Sequence, residues 1–148
     1  WRIGWLVVPD QLIKPIEKLS QNLFISTNSL SQMAAIYAFD CEEEIKNIIQ
    51  KYKINRDILI ASLKQMGINN IAPCDGAFYI YADISHLTND SMLFCKKLLN
   101  ETGVALTPGI DFDKSNGKSF VRFSYSCEKY KILEATKKMV KWVKETSN

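Results

Sequence analysis

Apolar positions along this chain follow two rhythms, and each change of rhythm marks an element. Residues 3–8 (IGWLVV) form an unbroken apolar run, rich in β-branched and aromatic side chains and ended by Pro9, which predicts a strand buried on both faces. Asp10 then offers a helix N-cap. Leu12, Ile16, Leu19 and Leu23 recur at helical spacing, with Pro15 tolerated in the first turns. Residues 26–29 (STNS) break that helix and cap another, whose stripe is Leu30, Met33, Ala34 and Tyr37. Asp40 with Glu43 three residues on has the form of a capping box. From there Ile45, Ile48 or Ile49, Tyr52, Ile58 or Leu59, and Leu63 predict one long helix to Met66, closed by Gly67 in a left-handed cap.

After Gly67 the rhythm shortens. The segment AFYIYADIS reads as a strand, Asn89 or Asp90 caps a helix through Leu98, and Gly103 ends it before a short strand VALT. SFVRFSYS is the last strand. A closing helix places Ile132, Leu133, Thr136, Met139, Val140 and Val143 on one face with lysines opposite, an amphipathic element made to lie on a sheet. Strand, three helices, strand, helix, two strands and helix is the order of a layered α/β or α+β fold.

Composition narrows the class. The chain has 148 residues, 47% of them hydrophobic, which is enough for a real core in one domain or a little more. Net charge is only +3, with lysines spread along the helices, so the surface reads as mixed and solvated and not as a nucleic-acid face. Cys41, Cys74, Cys95 and Cys127 lie far apart with a single histidine in the chain, which predicts reduced thiols of a cytoplasmic protein and no metal site. No apolar run approaches the roughly 20 residues of a membrane span. A start inside an expected strand points to a piece of something longer.

Arginine usage carries the most chemistry. There are three arginines against sixteen lysines, and two of the three, Arg2 and Arg122, sit inside apolar strand-like segments. In FVRFSY the alternation puts Arg122 on the face opposite Val121, Phe123 and Tyr125. A guanidinium partly removed from water must find an anion, either an internal acid or a bound carboxylate or phosphate that fits its planar fork. The third, Arg56, falls on what reads as the exposed part of a helix. Other motifs carry less. GIDFDKSNGKS has seven residues between Gly109 and Gly117 where a phosphate loop needs four, so it reads as a surface turn. His86 reads as a strand-end polar residue, Cys74 and Cys127 as small buried hydrophobes, Gly76 as the positive-φ residue of a turn, and TPG at residues 107–109 as another turn.

Five blocks, WRIGWLVVP, NLFISTNSLSQMAA, PCDGAFYIYADIS, GVALTPGIDFD and FVRFSYS, stand in the order and spacing of the C-terminal half of class I aminotransferases that use pyridoxal 5'-phosphate. The chain resembles that family over essentially its whole length, and within it bacterial aspartate or aromatic aminotransferases. The resemblance implies the C-terminal part of the type I fold: residues 1–48 ending the large cofactor-binding domain, and residues 49–148 forming a small domain with a long linking helix, a mixed sheet and covering helices. Arg2 matches the arginine that contacts the cofactor phosphate, and Arg122 the one that grips the substrate α-carboxylate. The lysine that holds the cofactor as a Schiff base would fall before Trp1, so this chain has no catalytic residue of its own and is expected to be inactive alone. Phe78 resembles a position near the substrate, with a core aromatic as the other reading. Family members often follow the proline–glycine with Phe-Gly, whereas Phe112 here precedes Asp113. Residues 26–32 resemble a segment that borders a neighbouring subunit.

The full-length protein would then move an amino group between an amino acid and a 2-oxo acid, as a homodimer, with no nucleic-acid or membrane partner. Two other readings stay open: a lyase or synthase on the same fold, and a non-catalytic α+β module for dimerisation or anion binding.

Overall fold

The computed structural model describes residues 2–146; Trp1 lies outside the described residues. Their elements run α1 (Asp10–Leu23), α2 (Ser29–Tyr37), α3 (Glu42–Gln65), β1 (Tyr79–Asp83), α4 (Ser91–Thr102), β2 (Thr107–Pro108), β3 (Phe120–Ser124) and α5 (Lys129–Thr146). Short 3-10 turns occupy residues 38–40, 109–111 and 117–119. Residues up to Asn47 make one compact unit and those from Ile48 a second, with the boundary inside α3.

In the first unit, Pro9 holds the N-cap place and Asp10 is the first helical residue, where its charge suits the helix dipole. Asn28 caps α2, its side chain accepting from the Ser31 N–H at 3.1 Å. The expected capping box of Asp40 and Glu43 does not form. Asp40 is taken up in a 3-10 turn, and the Cys41 carbonyl instead accepts from Ile45 as the next helix starts. The expected strand over residues 3–8 is absent too, and with it the burial expected for Arg2. A strand satisfies its backbone only across a neighbour, and none of the described residues pairs with this segment. Trp5 and Leu6 are exposed and Val7 is 95% exposed.

The second unit holds the hydrophobic core. Its sheet has the order β1-β3-β2, with β3 antiparallel to both neighbours. The expectation of a mixed sheet is corrected here. The crossover through α4 leaves β1 and β2 parallel to each other but apart, and β3 fills the gap between them running the opposite way. Alternation sends Ile80, Ala82, Val121 and Phe123 to one face, where Leu59 and Leu63 of α3, Phe94 and Leu98 of α4, and Ile132, Met139 and Trp142 of α5 cover them. Asp90 caps α4 by accepting from the Leu93 N–H at 3.0 Å, and Gly103 ends it at φ 74°. Gly67, at φ 77°, closes the last turn of the long helix as its sequence position requires.

Candidate anion-binding site around Arg122

The other face of the sheet carries the candidate site. Register places Tyr81, Arg122 and Thr107 in one row across the three strands, so their side chains share the face turned away from the core. Arg122 is half-buried. Its Nη2 donates to Thr107 Oγ1 at 3.3 Å, and its Nε is buried with no acceptor. Among the described residues no acid is bridged to it: the ion pairs join Lys46 to Glu42, Arg56 to Asp57, Lys138 to Glu134 and Lys141 to Glu145. Two rings approach the guanidinium instead. Cζ lies 4.8 Å from the Phe112 ring centroid and 5.2 Å from that of Tyr79. A cation held by π-faces and one hydroxyl keeps most of its fork unspent, and a buried N–H without an acceptor is costly until an anion arrives.

Tyr81 continues the aromatic row, stacked on Phe120 at 5.1 Å and meeting Phe112 edge-on at 6.4 Å. Its hydroxyl is buried without a partner, and that burial, with the Asp113 charge as a lesser cause, raises its pKa. The loop over this face is GIDFDKSNGKS, and it is more than a turn. Gly109 and Gly117 are both buried, and a Cβ on Gly117 would lie 2.4 Å from the Gly109 carbonyl oxygen. Asp113 is not among the positive-φ residues, and it ties the loop with its side chain. Its Oδ1 accepts from the Ser115 and Asn116 N–H groups at 2.8 and 3.1 Å.

The remaining sequence candidates fall elsewhere. Arg2, in the first unit, is exposed at φ 59°, with no hydrogen bond or ion pair to any described residue. Arg56 is not on an open helix face: its side chain is 24% exposed and bound to Asp57, and Nη1 reaches the Cys74 carbonyl at 3.4 Å. The hydrogen bond to Asp57 raises its pKa. Phe78 is exposed and packs against Tyr52 and Tyr79. His86 is exposed with Nε2 at 3.2 Å from the Met66 carbonyl, a contact to the end of α3. Cys127 is exposed, against the expectation of burial, because it sits beyond the end of β3, while Cys95 is the deeply buried thiol, pushed up to about 11 by desolvation. The positive φ expected of Gly76 belongs instead to Ala77, at 58°. Among the described residues no group of histidines, cysteines and acids could hold a metal, and no helix is long and apolar enough to cross a membrane.

Sequence reasoning passed over Tyr79, Tyr81, Thr107 and Asn55. Period two in YIYAD was the available signal for the tyrosines. For Asn55 it was a polar residue four before Leu59 and eight before Leu63 on one helical stripe. Asn55 is 1% exposed, and its Nδ2 donates to the Tyr125 and Cys127 carbonyls at 3.1 and 2.7 Å, pinning the exit of β3 to α3.

The family model for aminotransferase class I and II matches residues 1–139. The chain belongs to this family. A valine–pyruvate aminotransferase of Mycobacterium tuberculosis is 46% identical over 145 residues, covering 97% of this chain and 37% of the relative. An aspartate aminotransferase of Sulfurisphaera tokodaii is 31% identical, again over 97% of this chain and 37% of its own length. The crystal structure of an aminotransferase from Mycobacterium tuberculosis superposes with a TM-score of 0.85 at 45% identity, over 98% of this chain and 38% of that one. An aromatic aminotransferase from Pyrococcus horikoshii reaches 0.79 at 27% identity, over 99% of this chain and 40% of that one. The aminotransferase chain described here thus spans a little over a third of the length of the curated relatives it matches, and its fold is that of the C-terminal portion of the type I fold.

Proposed function

We propose that the full-length protein is a pyridoxal-phosphate-dependent aminotransferase, moving an amino group between an amino acid and a 2-oxo acid as a homodimer. Residues 1–48 would end its large domain and residues 49–148 form its small one. The observation that carries this is Arg122, a half-buried guanidinium with an unsatisfied Nε and no ion-paired acid among the described residues. Arg122 would bind the α-carboxylate of the amino acid, and then of the 2-oxo acid, with Nε and the free part of its fork. Fixing that end of the substrate orients Cα, and orientation of this kind contributes several kcal/mol to a barrier.

For the cofactor, this chain supplies Arg2. Exposed and without an acid partner among the described residues, its guanidinium fits a phosphate as donor set and charge, and it would hold the phosphate end. Pyridoxal phosphate, when bound, supplies an electron sink for the pair left at Cα. By the resemblance none of the sixteen lysines here matches the one that would bind it, so we expect no turnover from the 148-residue chain alone.

The amino donor that fits best is uncharged. The rings of Tyr79 and Phe112 lie against Arg122, with Tyr81 beside Phe112, and the 46% identical relative is named for valine and pyruvate. In full-length protein with cofactor, Arg122→Lys should raise KM for the amino acid roughly 10- to 100-fold, as the bidentate fork is lost. An unchanged KM would sink the assignment. Bleaching of the bound cofactor's visible band by valine at concentrations where aspartate does nothing would support the uncharged donor.

A further inference from the structure

Phe112 poses a question that the carboxylate reading leaves open. It is 54% exposed, so it gives the core little, yet it is held in place from three directions. Its own N–H and that of Asp113 both donate to the Gly109 carbonyl at 2.9 Å. Gly117 packs its backbone onto that of Gly109, and the Gly117 carbonyl accepts from the buried Ser91 hydroxyl at 2.8 Å, which ties the loop to the first turn of α4. The Phe112 ring meets Tyr81 edge-on. What this fixed, exposed ring touches besides Tyr81 is the Arg122 guanidinium, 4.8 Å from its centroid, and Tyr79 approaches the same cation from β1.

We propose that Phe112, held by the Gly109–Gly117 clasp and assisted by Tyr79, is a positioning residue that pre-orders the Arg122 guanidinium for the substrate carboxylate. This rests on the reading of Arg122 as the carboxylate-binding group. An arginine side chain is long and flexible, and ordering it on binding weakens affinity. Two π-faces hold the cation without competing for its N–H groups, which an acidic partner would consume. The arrangement thus keeps the fork fixed and, apart from the Nη2 bond to Thr107, unspent. It also explains why a loop with no phosphate-binding spacing is closed so tightly by two glycines: the loop's product is the place of one ring.

The test uses full-length enzyme loaded with pyridoxal phosphate. Phe112→Leu should raise KM for the amino acid and for the 2-oxo acid together, roughly two- to tenfold, because both carry the carboxylate, while kcat stays within about twofold and the melting temperature holds. Phe112→Tyr, which keeps the π-face, should restore KM. Tyr79→Leu attacks the same cation from another element and should act in the same direction. Unchanged KM in Phe112→Leu, or a tyrosine variant no better than leucine, would overturn the proposal. Arg122→Lys run in parallel separates the two claims: if it raises KM while both ring variants do not, only the clamp fails, and if it too leaves KM unmoved, the carboxylate reading itself fails.

Discussion

Gly109 and Gly117 meet where neither has room for a side chain. A Cβ on Gly109 would stand 2.6 Å from the Gly117 and Phe120 carbonyl oxygens and 2.7 Å from the Tyr81 hydroxyl, and one on Gly117 would stand 2.4 Å from the Gly109 backbone. These neighbours are mostly backbone and cannot swing aside, so Gly117→Ala has to open the loop. We expect that substitution to cost roughly 1–3 kcal/mol of stability, as overpacking does, measured by denaturant unfolding of the chain. Gly76→Ala, with nothing within 4 Å of the added atom and no positive φ, should cost far less and serves as the control.

At the scale of elements, two turns are tied by carboxylates, which makes them sensitive to acid. Asp113 accepts from the Asn116 and Ser115 N–H groups, and Asp83 from the Ser85 N–H, and these bonds hold both carboxyls below their ordinary pKa. Because the folded values are depressed, the stabilisation is fully present above the unfolded value of about 3.9 and is lost as pH falls through the folded ones. The unfolding midpoint should therefore drop below about pH 4, and Asp113→Asn should flatten part of that drop. A midpoint whose acid slope is the same in the variant would show that the loop carboxylate takes no part.

For the whole molecule, the two units differ in what holds them. Among the described residues every buried apolar one lies at or beyond Leu59, whereas α1 has no buried residue and α2 buries only Ser31. Hydrogen exchange of the isolated chain should find α1 and α2 exchanging far faster than β1, β3 and α5, and Leu63→Ala should cost about 2–5 kcal/mol in the second unit while leaving exchange in the first unaltered. Similar protection across both units would contradict this division. The same contrast explains what could be read from the residues alone. Helices announced themselves through their own spacing, and FVRFSY placed Arg122 correctly because alternation is local. Residues 3–8 misled because a strand is a property of two segments, and no described residue pairs with this one. The clamp on Arg122 was illegible for a related reason: Phe112 reaches the cation through a loop closed by two glycines with seven residues between them, and that spacing alone does not signal the closure.

Asn55 and aspartate have almost the same shape, differing by one nitrogen in place of an oxygen. At this position the nitrogen faces two carbonyl oxygens of the segment leaving β3. An aspartate there would fit without a clash and point like charge at both, so Asn55→Asp should destabilise the chain by roughly 3–5 kcal/mol by chemical denaturation, more than the smaller Asn55→Ala. Polarity alone, with volume held constant, decides whether the last strand stays moored to the long helix.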